Sequence, residues 1–180
     1  MNKIILIGIP NCGKTTLGRR TADIMRLPFF DTDIMVKDML NIENPADIMR
    51  LCFNRSFLTA QYKAVAELTK LADPAIIATG AEVALMPECT DLLQNMGTII
   101  YIKRDPELVL TDLKNSEKKG LVMRDVTNGT EINMQEEAVK LYAKECHQYE
   151  ALANLTLENN GSEDEGVNKL VTLISSCITS

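Results

Sequence analysis

The sequence predicts a three-layer α/β fold: a five-stranded parallel sheet flanked by helices, with a mobile lid. Three observations predict it. Short apolar runs alternate with longer amphipathic ones, the rhythm of strands and crossover helices in a parallel sheet. The first run, Lys3-Ile4-Ile5-Leu6-Ile7, is apolar without a break after Lys3, as a strand buried on both faces is. Directly behind it stands Gly8-Ile9-Pro10-Asn11-Cys12-Gly13-Lys14-Thr15, a full match to G-x-x-x-x-G-K-[ST] set between a strand and a helix start.

The elements follow in order. A strand over 3–8 leads through the glycine loop into a helix over 14–26. Pro28 introduces the short strand Phe29-Phe30, and a helix follows over 34–40. A helix over 57–72 precedes a strand over 75–79, and a helix over 87–95 precedes a strand over 98–102. The helix over 106–115 opens on Pro106, whose missing N–H has no partner in a first turn anyway. A long helix over 131–149 and a weaker strand over 154–157 come next. The last helix, over 162–177, starts at Ser162 with Glu165 three residues on, a capping box. Residues 115–130 break the rhythm with Lys118, Lys119 and Arg124 among Gly120, Asn128 and Gly129. Their place after the fourth strand and its helix predicts a lid that closes over a ligand; the plainer alternative is a solvated loop.

Length and composition restrict the function. A chain of 180 residues suits one domain spanning 1–180, and 46% apolar with 24% charged residues is globular. A net charge of −6 without a Lys/Arg cluster argues against a nucleic-acid partner. No apolar stretch approaches a membrane span. Five scattered cysteines without a C-x-x-C pair form neither a zinc motif nor a disulfide framework, and suit a reducing, cytoplasmic setting. A monomer is expected.

The glycine loop explains itself chemically. Phosphate oxygens need many donors at close range, and Gly8 and Gly13 let the backbone curl so that loop N–H groups point inward. Gly8, Asn11, Cys12 and Gly13 are therefore expected to hold phosphate together with the helix start at Lys14, Thr15 and Thr16. Lys14 is expected to bridge the β- and γ-phosphates and Thr15 to ligate Mg²⁺, so ATP and Mg²⁺ are the expected cofactors. Cys12 lies inside this positive nest, where a thiol gains reactivity, although a small spacer role explains it too. Phe29-Phe30-Asp31-Thr32-Asp33 puts two carboxylates two residues apart at the carboxyl end of a strand, the edge where open α/β sheets bind ligands. One could assist Mg²⁺ and the other accept a hydroxyl proton. The alternative for Asp33 is an N-cap on the next helix.

The stretch from Ile4 to Asp33, with Gly-Lys-Thr-Thr-Leu-Gly-Arg after the strand and then Leu-Pro-Phe-Phe-Asp-Thr-Asp, resembles shikimate kinase almost position for position. The remainder resembles it more loosely. The resemblance implies a P-loop kinase fold of the nucleoside-monophosphate-kinase type, and ATP-dependent phosphoryl transfer to a hydroxyl of a small molecule. The family reaction turns shikimate and ATP into shikimate 3-phosphate and ADP. It implies that Asp31 assists Mg²⁺, that Asp33 binds the acceptor hydroxyl and takes its proton, and that 34–62 is an acceptor-binding helical segment.

The acceptor site departs from that pattern. The family's Phe-Arg-x-x-Glu corresponds to Phe57-Leu58-Thr59-Ala60-Gln61, without the arginine or the acid, and its Gly-Gly-Gly to Gly80-Ala81-Glu82. The lid's Arg-Pro-Leu-Leu corresponds to Lys119-Gly120-Leu121-Val122, and the arginine before the family's tyrosine to Ala138, before Tyr142. The adenine-stacking arginine falls near Asp112. Arginine's planar fork suits a carboxylate, and each lost charged hydrogen bond costs about 1.5–3 kcal/mol. The candidate acceptor residues are thus Asp33, Arg55, Gly80, Ala81 and Glu82, with Lys118, Lys119 and Arg124 in the lid; the acceptor is left open between shikimate, gripped by these cations in place of the missing arginines, and another hydroxyl compound. Two rivals stand beside this reading. One is a non-catalytic nucleotide binder derived from the fold; the other is a small GTPase, against which Thr69-Lys70-Leu71-Ala72-Asp73 misses the guanine motif's spacing by one.

Overall fold

The computed structural model describes residues 3–43, 55–115, 122–124 and 131–178. Five strands form one parallel sheet: β1 (Lys3–Ile7), β2 (Phe29–Asp31), β3 (Ile76–Ala78), β4 (Gly97–Lys103) and β7 (Leu155–Glu158), in the order β2-β3-β1-β4-β7. The central strand β1 pairs with β3 from Ile4 opposite Ile76 and with β4 from Lys3 opposite Gly97. Its Ile4 to Ile7 are all buried, because helices cover both faces of a parallel sheet. The sheet runs as expected, and strand order reverses beside β1, which sets the glycine loop at the crevice where such sheets bind ligands.

Helices α1 (Lys14–Met25), α2 (Thr32–Met39), α3 (Arg55–Thr69), α4 (Pro87–Met96), α5 (Pro106–Asn115), α6 (Met134–Ala143), α7 (Cys146–Leu152) and α8 (Glu163–Ile178) account for the expected ones, with two corrections. The single helix expected over 131–149 is divided. Its first residues form β6 (Glu131–Asn133), antiparallel to β5 (Val122–Arg124). Asn133 then caps α6, its side chain accepting from the N–H groups of Gln135 and Glu136. A bend at Lys144 and Glu145 separates α6 from α7. The apolar period runs through both helices, so periodicity did not reveal the break. The second correction is the start of α2, at Thr32 rather than Ile34, and a short 3-10 helix at Ala81–Leu85 adds to the expected elements.

Two contacts lock the layers near the future site. Tyr149 on α7 stacks on Tyr101 of β4 with ring centroids 5.5 Å apart, and its hydroxyl donates to the Ala81 carbonyl at 3.0 Å. Ser162 Oγ accepts from the Glu165 N–H at 3.3 Å, as the capping box predicts. Among the described residues no helix is long and apolar enough to cross a membrane.

Candidate active site

The loop between β1 and α1 is built from backbone. Gly13 has φ +105° and Gly8 φ +143°, conformations that side chains rarely allow. A Cβ on Gly13 would lie 2.7 Å from Asn159 Nδ2, and one on Gly8 2.7 Å from the Ile102 carbonyl. Gly13 is the N-cap of α1 and offers no capping side chain, so the first-turn N–H groups stay open to an anion. Lys14 is only 8% exposed, and its Nζ donates to the carbonyls of Gly8 at 2.9 Å and Ile9 at 2.8 Å. The ammonium is thereby held inside the curl of the loop. Cys12 is fully buried, which favours the spacer role over a reactive thiol.

The two carboxylates occupy different elements, which corrects the expectation that both stand on one strand. Asp31 ends β2 and is buried; Asp33 lies in the first turn of α2. Thr15 Oγ1 donates to Asp31 Oδ2 at 2.7 Å, bringing a hydroxyl and a carboxylate together at the loop. The capping alternative for Asp33 is also corrected. Asp31 is the N-cap, its Oδ1 accepting from the Asp33 N–H at 2.9 Å. Asp33 is freed from that duty and lines the cavity.

A cavity of about 580 Å³ joins the two halves. Pro10, Asn11, Gly13, Lys14, Thr15 and Thr16 form its phosphate-loop wall. Asp33, Phe57, Thr79, Ala81, Glu82 and Tyr142 are among the residues on the acceptor side. There Gln61, completely buried in α3, donates from Nε2 to Asp33 Oδ1 at 2.9 Å and to Glu82 Oε1 at 2.6 Å. Gly80 makes this convergence possible. A Cβ there would fall 2.6 Å from Asp33 Oδ1, 2.7 Å from Gln61 Nε2 and 2.8 Å from Glu82 Oε1. The Gly80 N–H donates to Thr32 Oγ1 at 2.8 Å and so ties the turn after β3 to the start of α2.

Burial, and then the neighbouring charge of Asp31, raises the Asp33 pKa above the ordinary carboxylate range. Burial, and then the charge of Asp33, pushes Glu82 up to about 7. Gln61 and the charge of Lys14 oppose both shifts without cancelling them.

Of the other expected acceptor residues, Arg55 is exposed at the start of α3 and is not on the cavity wall. Lys118 and Lys119 lie outside the described residues, and Arg124 is described only through its backbone, as the end of β5. Sequence reasoning undervalued two residues. In sequence Gln61 reads as a lost acid, whereas in the fold its amide joins Asp33 to Glu82. Asn159 is buried at the end of β7, and its Nδ2 donates to the Cys12 carbonyl at 2.8 Å, buttressing the glycine loop from 147 residues away. Its place in Asn159-Asn160-Gly161 was the only signal. Arg104 stands near the same turn, its Nη1 donating to the Asn159 carbonyl at 3.0 Å while Asp112 takes Nη2. Asp112 therefore holds an arginine where the sequence placed no cation.

The family model for shikimate kinase matches residues 10–175. Shikimate kinases of two strains of Clostridium botulinum are 29% and 30% identical over 178 residues, each covering 96% of this chain and 97% of the relative. Among solved structures, the shikimate kinase of Acinetobacter baumannii, determined in complex with shikimate, superposes with a TM-score of 0.76 at 23% identity. That likeness covers 98% of this chain and 94% of the other, and at that identity it speaks for the fold alone.

Proposed function

This chain belongs to the shikimate kinase family, and on that premise we propose that it is a small-molecule kinase in which Lys14 and Asp33 carry the chemistry. The family uses ATP and Mg²⁺, and the residues present suit both. Backbone N–H groups at the helix start and the cradle at Gly13 suit a polyphosphate, and the Thr15 hydroxyl with the Asp31 carboxylate is a hard oxygen pair suited to Mg²⁺. When bound, the ion neutralises charge that builds on the β- and γ-phosphates.

The protein's own residues do the rest. The loop N–H groups and Lys14 hold the triphosphate, Lys14 exchanging the carbonyls of Gly8 and Ile9 for phosphate oxygens. Asp31 keeps Thr15 oriented. Asp33 receives the acceptor hydroxyl on the far side of the cavity. The hydroxyl oxygen bonds the γ-phosphorus as the bond to the β-bridging oxygen breaks; ADP leaves, and the hydroxyl proton passes to Asp33. A raised pKa makes Asp33 a better proton acceptor than an ordinary aspartate. One chain supplies every residue named, so we take a monomer as the working unit and 1–180 as one kinase domain.

The observation that carries this reading is the shared cavity, which both Lys14 and Asp33 line. It is tested by Asp33→Asn. Transfer should fall by about 10²–10⁴-fold, the usual worth of a positioned base, while Mg-ATP affinity stays within about threefold. Equal loss of both would assign Asp33 a structural role instead.

A further inference from the structure

The acceptor wall is unusual in the chemistry it offers. Gln61 Nε2 has two N–H groups, and both are spent, one on Asp33 and one on Glu82. Beyond its own backbone N–H, Glu82 receives no other donor among the described residues, and Asp33 receives none. The wall therefore presents surplus acceptor oxygens and asks its ligand for donors. Its charge has the same sense. Asp33 and Glu82 share a single neutral amide, and among the described residues lining the cavity the only cation is Lys14, whose Nζ is held by the Gly8 and Ile9 carbonyls. Glu137, also on the wall, is already paired with Lys140 at 2.7 Å. A carboxylate ligand would meet acceptors with acceptors and negative charge with negative charge. Above about pH 7, where Glu82 is ionised, a neutral polyol would satisfy the oxygens but leave two like charges close together. An ammonium satisfies both demands with three N–H donors and one positive charge.

We propose that the phosphoryl acceptor is a hydroxyl compound bearing an ammonium group and no carboxylate, an amino-polyol whose reacting hydroxyl meets Asp33 and whose cation meets Glu82. This rests on the kinase reading above and names the substrate class for the same site. Gln61 then acts as a positioning residue: it sets the spacing of the two carboxylates and leaves the outer oxygen of each for the ligand. Gly80 is required beneath them, because any side chain there would occupy the point where the three groups converge.

The test uses the full chain with Mg-ATP and two matched sets of acceptors: glucosamine, glucose and glucuronate, then streptamine, inositol and shikimate. Mg-ATP affinity is measured first, by fluorescence titration, and failure to bind would overturn the kinase reading and this inference with it. With nucleotide bound, ADP release should be saturable in the amine of at least one set. Its kcat/KM should exceed that of the carboxylate by 100-fold or more and that of the neutral compound by about tenfold. Glu82→Gln keeps the shape and removes the charge. It should bring amine and neutral compound within about threefold of each other while leaving Mg-ATP affinity unchanged. Preference for shikimate or glucuronate, an amine preference untouched by Glu82→Gln, or no turnover of any amine by protein that binds Mg-ATP would each overturn the proposal.

Discussion

The two walls of the cavity are made by opposite means. The phosphate wall is contiguous in sequence, built chiefly of backbone N–H groups, and held open by glycines whose φ is positive. The acceptor wall is made of side chains from α2 and the turn after β3, Asp33 and Glu82, joined by the buried Gln61 of α3. Backbone donors are indifferent to most substitutions beside them, so a phosphate wall can persist while an acceptor wall changes. A wall of side chains changes its ligand with each replacement. By its resemblance to the family, the first wall keeps the phosphate-loop pattern, whereas on the second the arginine falls at Leu58, the acid at Gln61 and the last glycine at Glu82.

The largest effect expected from this contrast falls on the one side chain the phosphate wall cannot spare. Lys14→Ala should lower kcat by about 10³-fold, the range seen when a charge-stabilising donor is removed from a transferring phosphoryl group. It should also cost about 1–3 kcal/mol of stability, because the buried carbonyls of Gly8 and Ile9 lose their shared donor. Steady-state kinetics and urea denaturation measure the two losses. A mild effect on kcat would break the comparison by making the loop backbone sufficient alone.

The same contrast explains what could be read before folding. β1, the loop and α1 were legible because a buried strand, two glycines and Lys-Thr lie in one uninterrupted stretch, and local spacing fixes their geometry. Asp31 and Asp33 were legible as a pair, but not their division of labour. Which of two nearby carboxylates caps a helix depends on where the helix starts, and it starts at Thr32 rather than Ile34. The acceptor cluster was legible only as separate losses. Gln61 stands 28 residues after Asp33 and 21 before Glu82. No local pattern says that its amide will meet both. Asn159 shows the same limit at greater distance, since its contact with Cys12 exists only once β7 has paired with β4.

A smaller effect, with a sign that can be worked out, sharpens the comparison from the acceptor side. Glu82 has an ordinary pKa of 4.5 and a folded value of about 7. Between those values the folded protein binds more protons than the unfolded chain, so stability falls as pH rises through this window. Below about pH 4.5 the group is neutral in both states and costs nothing. Above about pH 7 the charge is held in the fold at a cost of about 3 kcal/mol, taking about 1.36 kcal/mol per pKa unit. Glu82→Gln should therefore be nearly neutral at pH 4.5 and stabilising by about 3 kcal/mol at pH 8, read from denaturation midpoints at both pH values. An equal effect at both would mean that Glu82 is not held out of water, and the acceptor wall would lose its charge argument.

The smallest effect belongs again to the phosphate wall and tests whether backbone carries it. Cys12 sits at the heart of the loop, fully buried, with Sγ 3.8 Å from Lys14 Nζ. Its carbonyl, not its thiol, accepts the Asn159 amide. Cys12→Ala removes one sulfur atom and leaves every backbone donor and acceptor in place. The cavity it opens should cost about 1 kcal/mol of stability, and kcat/KM should stay within about threefold of the parent. Denaturation and ADP-release assays on the same sample separate the two. A large loss of turnover without a matching loss of stability would assign the thiol a part in phosphate binding. The phosphate wall would then depend on its side chains as the acceptor wall does, and the division between the two walls would not hold.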